Sequence, residues 1–465
     1  MQTSALPHEI DDVAMKTLRV TSFGIRGFVG ESLTPKVLID FASAFATFVE
    51  GGRVLIGRDT RYSSQMIYSA VVSGLLNAGC EVVDFGICPT PIVQFSVVPM
   101  EAVGALSISG GHNPMGWNAL TLIGFDGSFV SPLGGETVLD VFHAGDFRKE
   151  DWQHMGSVRN AGDFSAPYFE ALEKRINVPA IRKAGLTVLI DPVGGAGCSF
   201  LEPFAKRFGF SLVPINAQPS GYLAREAEPR PRSALQMASI IKRLGGHVGF
   251  VLSSDMGRMS LVTEAGEPAS EEYTFAVIAD HSLGKQTGTL VTNCCTTRMI
   301  DDIARSRKAT VVKTPVGQAF VVSALMDEQG ILGGEGSGSV ALPEFSRAFD
   351  GFLMMALVLE AMAEKGKPLS ELIKSLPRYH IVKKSVLCDS RKGYHALEIL
   401  RDRLENQVGG RVDHTDGMRV DWEDGWVHAR TSQTEQIIRV ISEAKTREVA
   451  EKRAEELNRL IEREV

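Results

Sequence analysis

The chain has 465 residues, 44% apolar and 23% charged, with a formal net charge of -7, a globular composition long enough for two to four domains. The negative balance argues against nucleic acid as a main ligand. The longest apolar run, Phe352 to Leu359, falls far short of the roughly 20 residues a membrane span needs.

No apolar leader stands among Glu9, Asp11 and Asp12, and six cysteines (80, 88, 198, 294, 295 and 388) show no C-x-x-C spacing. They read as reduced, mostly buried thiols of a cytoplasmic protein. "GGRVLIGRDT" predicts a strand and loop, with a helix opening near Ser63 and Ser64, where a hydroxyl can cap free N–H groups. "GCEVVDFGICPTPIVQF" predicts strand, proline-rich turn and helix. "VGALSISGG" is another strand, and it runs into "SISGGHNPMGWNAL", Ser107 to Leu120. Such a turn presents a group at a strand end, yet Gly111 at its tip has no side chain.

The rhythm restarts at "GLTVLIDPVGGAGCSFLEPFAKRFGF", with strand, glycine-rich turn and helix, followed by strand–loop–strand in "GGHVGFVLSSDMGRMSLV". It restarts again at "TGTLVTNCCTTRMIDDIARS". From about residue 380 the character changes, with two strands in "WVHARTSQTEQIIRVIS" and a charged last helix read as a solvated face. These restarts divide the chain into 17–155, 156–265, 266–377 and 378–465, designated domains I to IV.

Eight segments, in order, carry a resemblance: "FGIRGFVG", "GRDTRYSS", "CPTPIVQF", "DPVGGAG", "TPVG", "GEGSG", "DGFL" and "RTSQTEQIIRV". From about residue 17 onward the chain resembles the α-D-phosphohexomutases, the family of phosphoglucomutase, phosphomannomutase and phosphoglucosamine mutase. The resemblance implies three related α/β/α mixed-sheet domains and a C-terminal α+β domain like the TATA-binding protein, set around a central cleft. It implies a phosphoserine that exchanges its phosphoryl group with a hexose phosphate, and a Mg²⁺ held by three aspartates.

Carried over residue by residue, the resemblance sets the nucleophile at Gly111, beside intact His112 and Asn113. It sets a lysine at Thr121, and it aligns the metal loop with Ser253, Ser254, Asp255, Met256, Gly257 and Arg258, which leaves Asp255 alone as a ligand. A histidine of the sugar loop becomes Ser339. The groups kept are those of binding: Glu335 and Ser337 for sugar hydroxyls, Arg430, Ser432, Thr434 and Arg439 for phosphate, and Arg26 and Arg258 as positive charges near the tip. Gln433 and Gln436 replace residues the family's phosphate loop uses.

A glycine pair alone is ordinary turn chemistry, and "SSDMGR" alone is a polar strand-to-strand loop without a ligand. Register makes the first a degenerate active-site loop, and the second keeps its bland reading. Ser107 and Ser109 sit too early to replace the nucleophile, and His112 reads as structural. The expectation is a protein that binds hexose phosphate without transferring it, needs no cofactor or Mg²⁺, and acts as a regulatory or binding subunit with an active mutase paralogue or as a homodimer. The alternative is an active phosphoglucomutase or phosphomannomutase working through an atypical nucleophile.

Overall fold

The computed structural model describes residues 17–388, 390–405, 409–432 and 437–464. Four sheets follow one another along the chain, of seven, four, four and five strands.

The first three share one wiring. In the second sheet, Thr187–Asp191 lies between Ser211–Pro214 and Val248–Leu252, parallel to both, and Met259–Thr263 adds antiparallel on the outside. The third repeats this with Thr289–Asn293 between Thr310–Thr314 and Leu332–Glu335, and Ser339–Ala341 outermost. The first sheet has the same four-strand heart in Arg53–Arg58, Glu81–Ile87, Gly104–Ile108 and Trp117–Ile123. Arg19–Thr21 and Gly24–Phe28 extend one edge of it, and Ser157–Asn160 extends the other. Parallel strands need helical crossovers, which is why helices alternate with strands here. In each unit the last two strands form a hairpin whose tip lies at the same end of the sheet.

The fourth sheet is antiparallel throughout, in the order His380–Leu387, Ile437–Ala444, Gly425–Thr431, Met418–Trp422 and Arg411–Asp413. The charged final helix, Arg447–Glu464, buries Ala450, Ala454, Leu457 and Ile461. That three-and-four spacing is one helical face, so only its other side is solvated.

Domains I to III share one apolar core. The apolar run singled out above belongs to helix Gly351–Lys365, buried from Gly351 to Met362. A helix apolar all round must be enclosed, and Phe352 meets Phe169, Phe200 and Phe204 of domain II. Asp350 caps this helix by accepting from the Phe352 and Leu353 amides, and also from the Tyr168 hydroxyl at 2.8 Å. Burial raises the Asp350 carboxyl to about 6.

Two local expectations change. Helix Ser64–Asn77 begins where predicted, but Ser63 makes no side-chain cap. Its hydroxyl accepts from Asn118 at 3.0 Å, while that of Ser64 donates to Asp59 at 2.7 Å. Cys80, Cys88 and Cys294 are buried, whereas Cys198, Cys295 and Cys388 are only partly so, fewer than the "mostly buried" expected. No helix among the described residues is long and apolar enough to cross a membrane.

Candidate functional site

The shared wiring builds the site. The hairpin tips of domains I, II and III carry Gly111, Asp255 and Ser337, and the hairpin between Gly425–Thr431 and Ile437–Ala444 brings a fourth loop. A cleft of about 280 Å³ lies where they meet, lined from domain I by Arg26, Gly111, His112, Asn113 and Thr121. Asp255, Gly257 and Arg258 line it from domain II, Glu335 and Ser339 from domain III, and Arg430, Ser432 and Arg439 from domain IV.

The Gly111 loop rests on a buried ion pair from "GRDTR". The side chains of Asp59 and Arg61 are fully enclosed, 3.0 Å apart. Arg61 spends its remaining donors on three loop carbonyls, those of Gly111, Asn113 and Pro114, at 3.1, 2.7 and 2.9 Å. Five fixed donors on a planar fork suit this task better than a lysine would. Gly110 must lack a side chain, since a Cβ there would lie 2.5 Å from the guanidinium. Gly111 stands at φ 53°, and a Cβ on it would come 3.0 Å from Asp255 Oδ2. Ser109 donates to Asp59 Oδ2 at 2.7 Å and accepts from the Gly111 amide at 3.0 Å. Ser107 is buried and paired with Thr90 at 2.7 Å.

The second loop folds onto itself. Asp255 Oδ1 accepts from the Ser253 hydroxyl at 2.5 Å and from the Gly257 amide at 3.1 Å. Ser254 donates to the Gly111 carbonyl at 2.8 Å, tying the two hairpins together. Met256, at φ 67°, buries its side chain. Mg²⁺ needs an octahedron of oxygen acceptors. This loop offers one carboxylate, one oxygen of which already accepts from hydroxyl and amide donors, so it brings a single protein ligand toward the ion.

In domain III, Glu335 accepts from the Gly317 amide at 2.9 Å and from the Ser337 hydroxyl at 3.3 Å. Ser339 lines the cleft and donates to the Gly257 carbonyl at 3.0 Å, whereas Ser337 is not among the lining residues.

Domain IV brings two arginines face to face. Arg430 and Arg439 are direct partners across the antiparallel pair. Like charges directly opposite weaken a ladder. Arg430 has Asp416 at 3.9 Å, and Arg258 is held by Glu228 at 3.1 Å. Partly buried His112 reports the resulting field. Its pKa lies well below the usual histidine value, first through desolvation, then through the charges of Arg258, Arg26, Arg439 and Arg230. Arginine charge from three domains therefore converges on the cleft beside Gly111.

Comparison with known proteins bears on this arrangement. Models of the α/β/α domains I, II and III of phosphoglucomutase/phosphomannomutase match residues 18–149, 166–266 and 270–379. A phosphoglucomutase/phosphomannomutase of Thermococcus kodakarensis is 36% identical over 437 residues, covering 92% of this chain and 95% of that one. The chain belongs to the phosphoglucomutase/phosphomannomutase family. A probable phosphoglucosamine mutase of Pyrococcus horikoshii is 34% identical across 93% of this chain and 96% of its own length. Two solved structures show the same fold at a TM-score of 0.83. One is a family protein of Burkholderia thailandensis, 22% identical, covering 96% of this chain and 97% of that one. The other is a putative phosphomannomutase of Thermus thermophilus, 24% identical, covering 96% and 99%.

Within this family fold, the cleft gathers the sequence-derived residues Gly111, His112, Asn113, Arg26, Arg258, Asp255, Glu335, Arg430, Ser432 and Arg439. Thr434 falls outside the described residues. One group went unnoticed in the sequence. Cys294 and Cys295 of domain III meet His428 of domain IV, with donor atoms all within 4.8 Å of one another. Among the described residues, this is the cluster that could hold a metal ion, and the Asp255 loop is not part of it. The signal was an adjacent cysteine pair at the end of a strand. Its partner lies more than 130 residues away, so nothing local pointed to it.

Proposed function

We propose that this chain binds hexose phosphates in the four-loop cleft without transferring the phosphoryl group, and serves as a binding or regulatory subunit. The observation that carries the reading is the direct opposition of Arg430 and Arg439 at the cleft wall. An anion seated between them turns a repulsive pair into charge-assisted hydrogen bonds. Ser432 completes the donor set, and Glu335 takes a sugar hydroxyl. The C-terminal domain belongs, on this reading, to the TATA-binding-protein-like class. Gly111 has no side chain to attack phosphorus, and the Asp255 loop brings a single carboxylate toward Mg²⁺, so on this reading neither the serine nucleophile nor the three-aspartate metal site of phosphoryl transfer is supplied. The protein acts in the cytoplasm, through an active mutase paralogue or a second copy of itself.

The test is calorimetric titration of the whole chain with glucose 6-phosphate and with glucose, alongside a coupled mutase assay primed with hexose bisphosphate. Binding of the phosphate alone, without turnover, is the expected result. Equal response to glucose removes the phosphate-site reading, and robust turnover removes the non-catalytic one.

One observation favours a second reading. Ser109 lines the cleft, and its hydroxyl donates to the Asp59 carboxylate at 2.7 Å. An active mutase would use this serine as its atypical nucleophile. Against it, both Asp59 oxygens are already engaged by the Arg61 guanidinium and amide and by the Ser64 and Ser254 hydroxyls, so the carboxylate serves as a structural hub of the loop. Peptide mapping after incubation with hexose bisphosphate separates the readings, because only the second leaves a phosphate on Ser109.

A further inference from the structure

The face that domain IV turns toward domain III is polar, and its alternation explains why. Along Gly425–Thr431, Trp426, His428 and Arg430 project to one side, while Val427 and Ala429 enter domain IV's own core. On the outward side Arg419 stacks over Trp426 at 4.2 Å and donates to the Cys294 carbonyl. Arg298 of domain III reaches Asp421 at 2.9 Å. In the middle of this seam, three soft donors meet with no carboxylate among them.

Cys294 and Cys295 stand just past strand Thr289–Asn293, in a turn where the Asn293 side chain accepts from the Cys295 amide at 2.8 Å. Cys295 Sγ lies 3.2 Å from His428 Nδ1, and Cys294 Sγ lies 3.9 Å from Nε2. The other contact of the ring fixes its tautomer. His428 Nε2 is 2.5 Å from the Asp416 carbonyl, and a carbonyl can only accept, so Nε2 carries the hydrogen. Nδ1 therefore presents a lone pair toward the Cys295 thiol. Imidazole ligands are generally oriented this way, with the other nitrogen donating to a carbonyl or carboxylate.

We propose that Cys294, Cys295 and His428 bind one thiophilic divalent cation of the Zn²⁺ class, which clamps domain IV to domain III. Tetrahedral Zn²⁺ with Cys and His ligands sets sulfur and nitrogen about 3.6 Å apart and two sulfurs about 3.8 Å apart. The three donor atoms, all within 4.8 Å, lie within about 1 Å of that arrangement. Two thiolates and a neutral imidazole favour Zn²⁺, Cd²⁺ or Co²⁺ over Mg²⁺, which takes oxygen ligands. On ligation each thiol loses its proton to solvent, and the two thiolates balance the charge of the ion. Cys295 is only partly buried, so a solvent molecule can take the fourth position and the ion can enter. The inference stands apart from the phosphosugar reading, because it uses none of the cleft's loops.

The experiment titrates the reduced full-length protein with Co²⁺ and Zn²⁺, each alone. We expect one equivalent of Co²⁺ to give thiolate-to-metal charge-transfer and tetrahedral bands, and Zn²⁺ to displace it. Zn²⁺ should also raise the thermal midpoint, by the linkage of binding to folding. Cys294→Ser/Cys295→Ser should abolish the charge-transfer band and weaken Zn²⁺ binding at least about 100-fold, with His428→Gln intermediate. Cys198→Ser/Cys388→Ser should leave both unchanged. Because the seam variants can fail to fold, the wild-type protein is also alkylated with and without Zn²⁺. Protection confined to the Cys294–Cys295 peptide is expected. Absence of the charge-transfer band at stoichiometric Co²⁺, its persistence in the double serine variant, or alkylation unaffected by Zn²⁺ overturns the proposal.

Discussion

The two halves of the cleft both present hairpin loops and put them to opposite use. On the side of domains I and II, the Gly111 and Asp255 hairpins are anchored by Asp59, Arg61 and Ser254. Several of their polar groups, Ser253, Ser254 and Asp255 Oδ1 among them, are spent within or between the two hairpins. On the side of domains III and IV, Arg430 faces Arg439, and Glu335 lines the open space. On the proposed reading a loop keeps its scaffold without the groups that would do chemistry, because scaffold and chemistry reside in different residues. The scaffold of the Gly111 loop lies some fifty residues upstream, in "GRDTR".

The largest effect that would break this comparison is loss of that scaffold. Arg61→Ala leaves Asp59 buried and unpaired and frees three loop carbonyls. Breaking one partner of a buried pair costs about 3–5 kcal/mol, so urea unfolding should show a loss of that order. A change below about 1 kcal/mol would mean that the first half is not built on this pair.

Arg430→Ala probes the other half. A hydrogen bond to a charged group contributes about 1.5–3 kcal/mol, which corresponds to a weakening of glucose 6-phosphate binding by roughly tenfold or more. The fold should be unharmed, as checked by thermal midpoint. Unchanged affinity would place the phosphate elsewhere in the cleft.

Gly111→Ser asks whether only the nucleophile is missing. A serine at φ 53° costs roughly 1–2 kcal/mol of stability, and its Cβ would crowd the Asp255 carboxylate. Catalytic groups that act as a unit are strongly non-additive. The single change should therefore give no mutase activity with Mg²⁺ and a bisphosphate primer. The set with Ser253→Asp, Gly257→Asp, Thr121→Lys and Ser339→His is the version that can. Turnover from Gly111→Ser alone would mean the first half is still competent.

The smallest effect concerns His112. Its folded pKa lies below the unfolded value of about 6.5. The unfolded chain therefore binds the extra proton, and stability declines as pH falls below about 6.5. His112→Gln should flatten that decline by at most about 1.4 kcal/mol per pH unit, the slope of one proton. By NMR, the ring should stay neutral at pH 7 in the free protein, and glucose 6-phosphate should raise its pKa. A His112 that titrates near 6.5 without ligand would mean that neither burial nor the arginine charges act on the ring.

The sequence by itself determined the strand–helix rhythm, its two restarts and the placement of the cleft's loops at strand ends. Each of these rests on short-range pattern: β-branched runs, glycine and proline turns, and helical spacing of apolar residues. It also showed which chemical groups stand at Gly111, Ser253 and Gly257, since identity needs no coordinates. The tertiary structure decided what those residues touch. That Ser64 serves Asp59 instead of capping a helix, and that Ser253 turns its hydroxyl onto Asp255, depends on backbone placement across loops. Farther apart still, Arg430 meets Arg439 only through strand register, and Cys295 meets His428 only because domain IV docks polar face first. The second of these contacts joins residues from separate sheets, and no local period in the chain encodes the docking of one sheet on another.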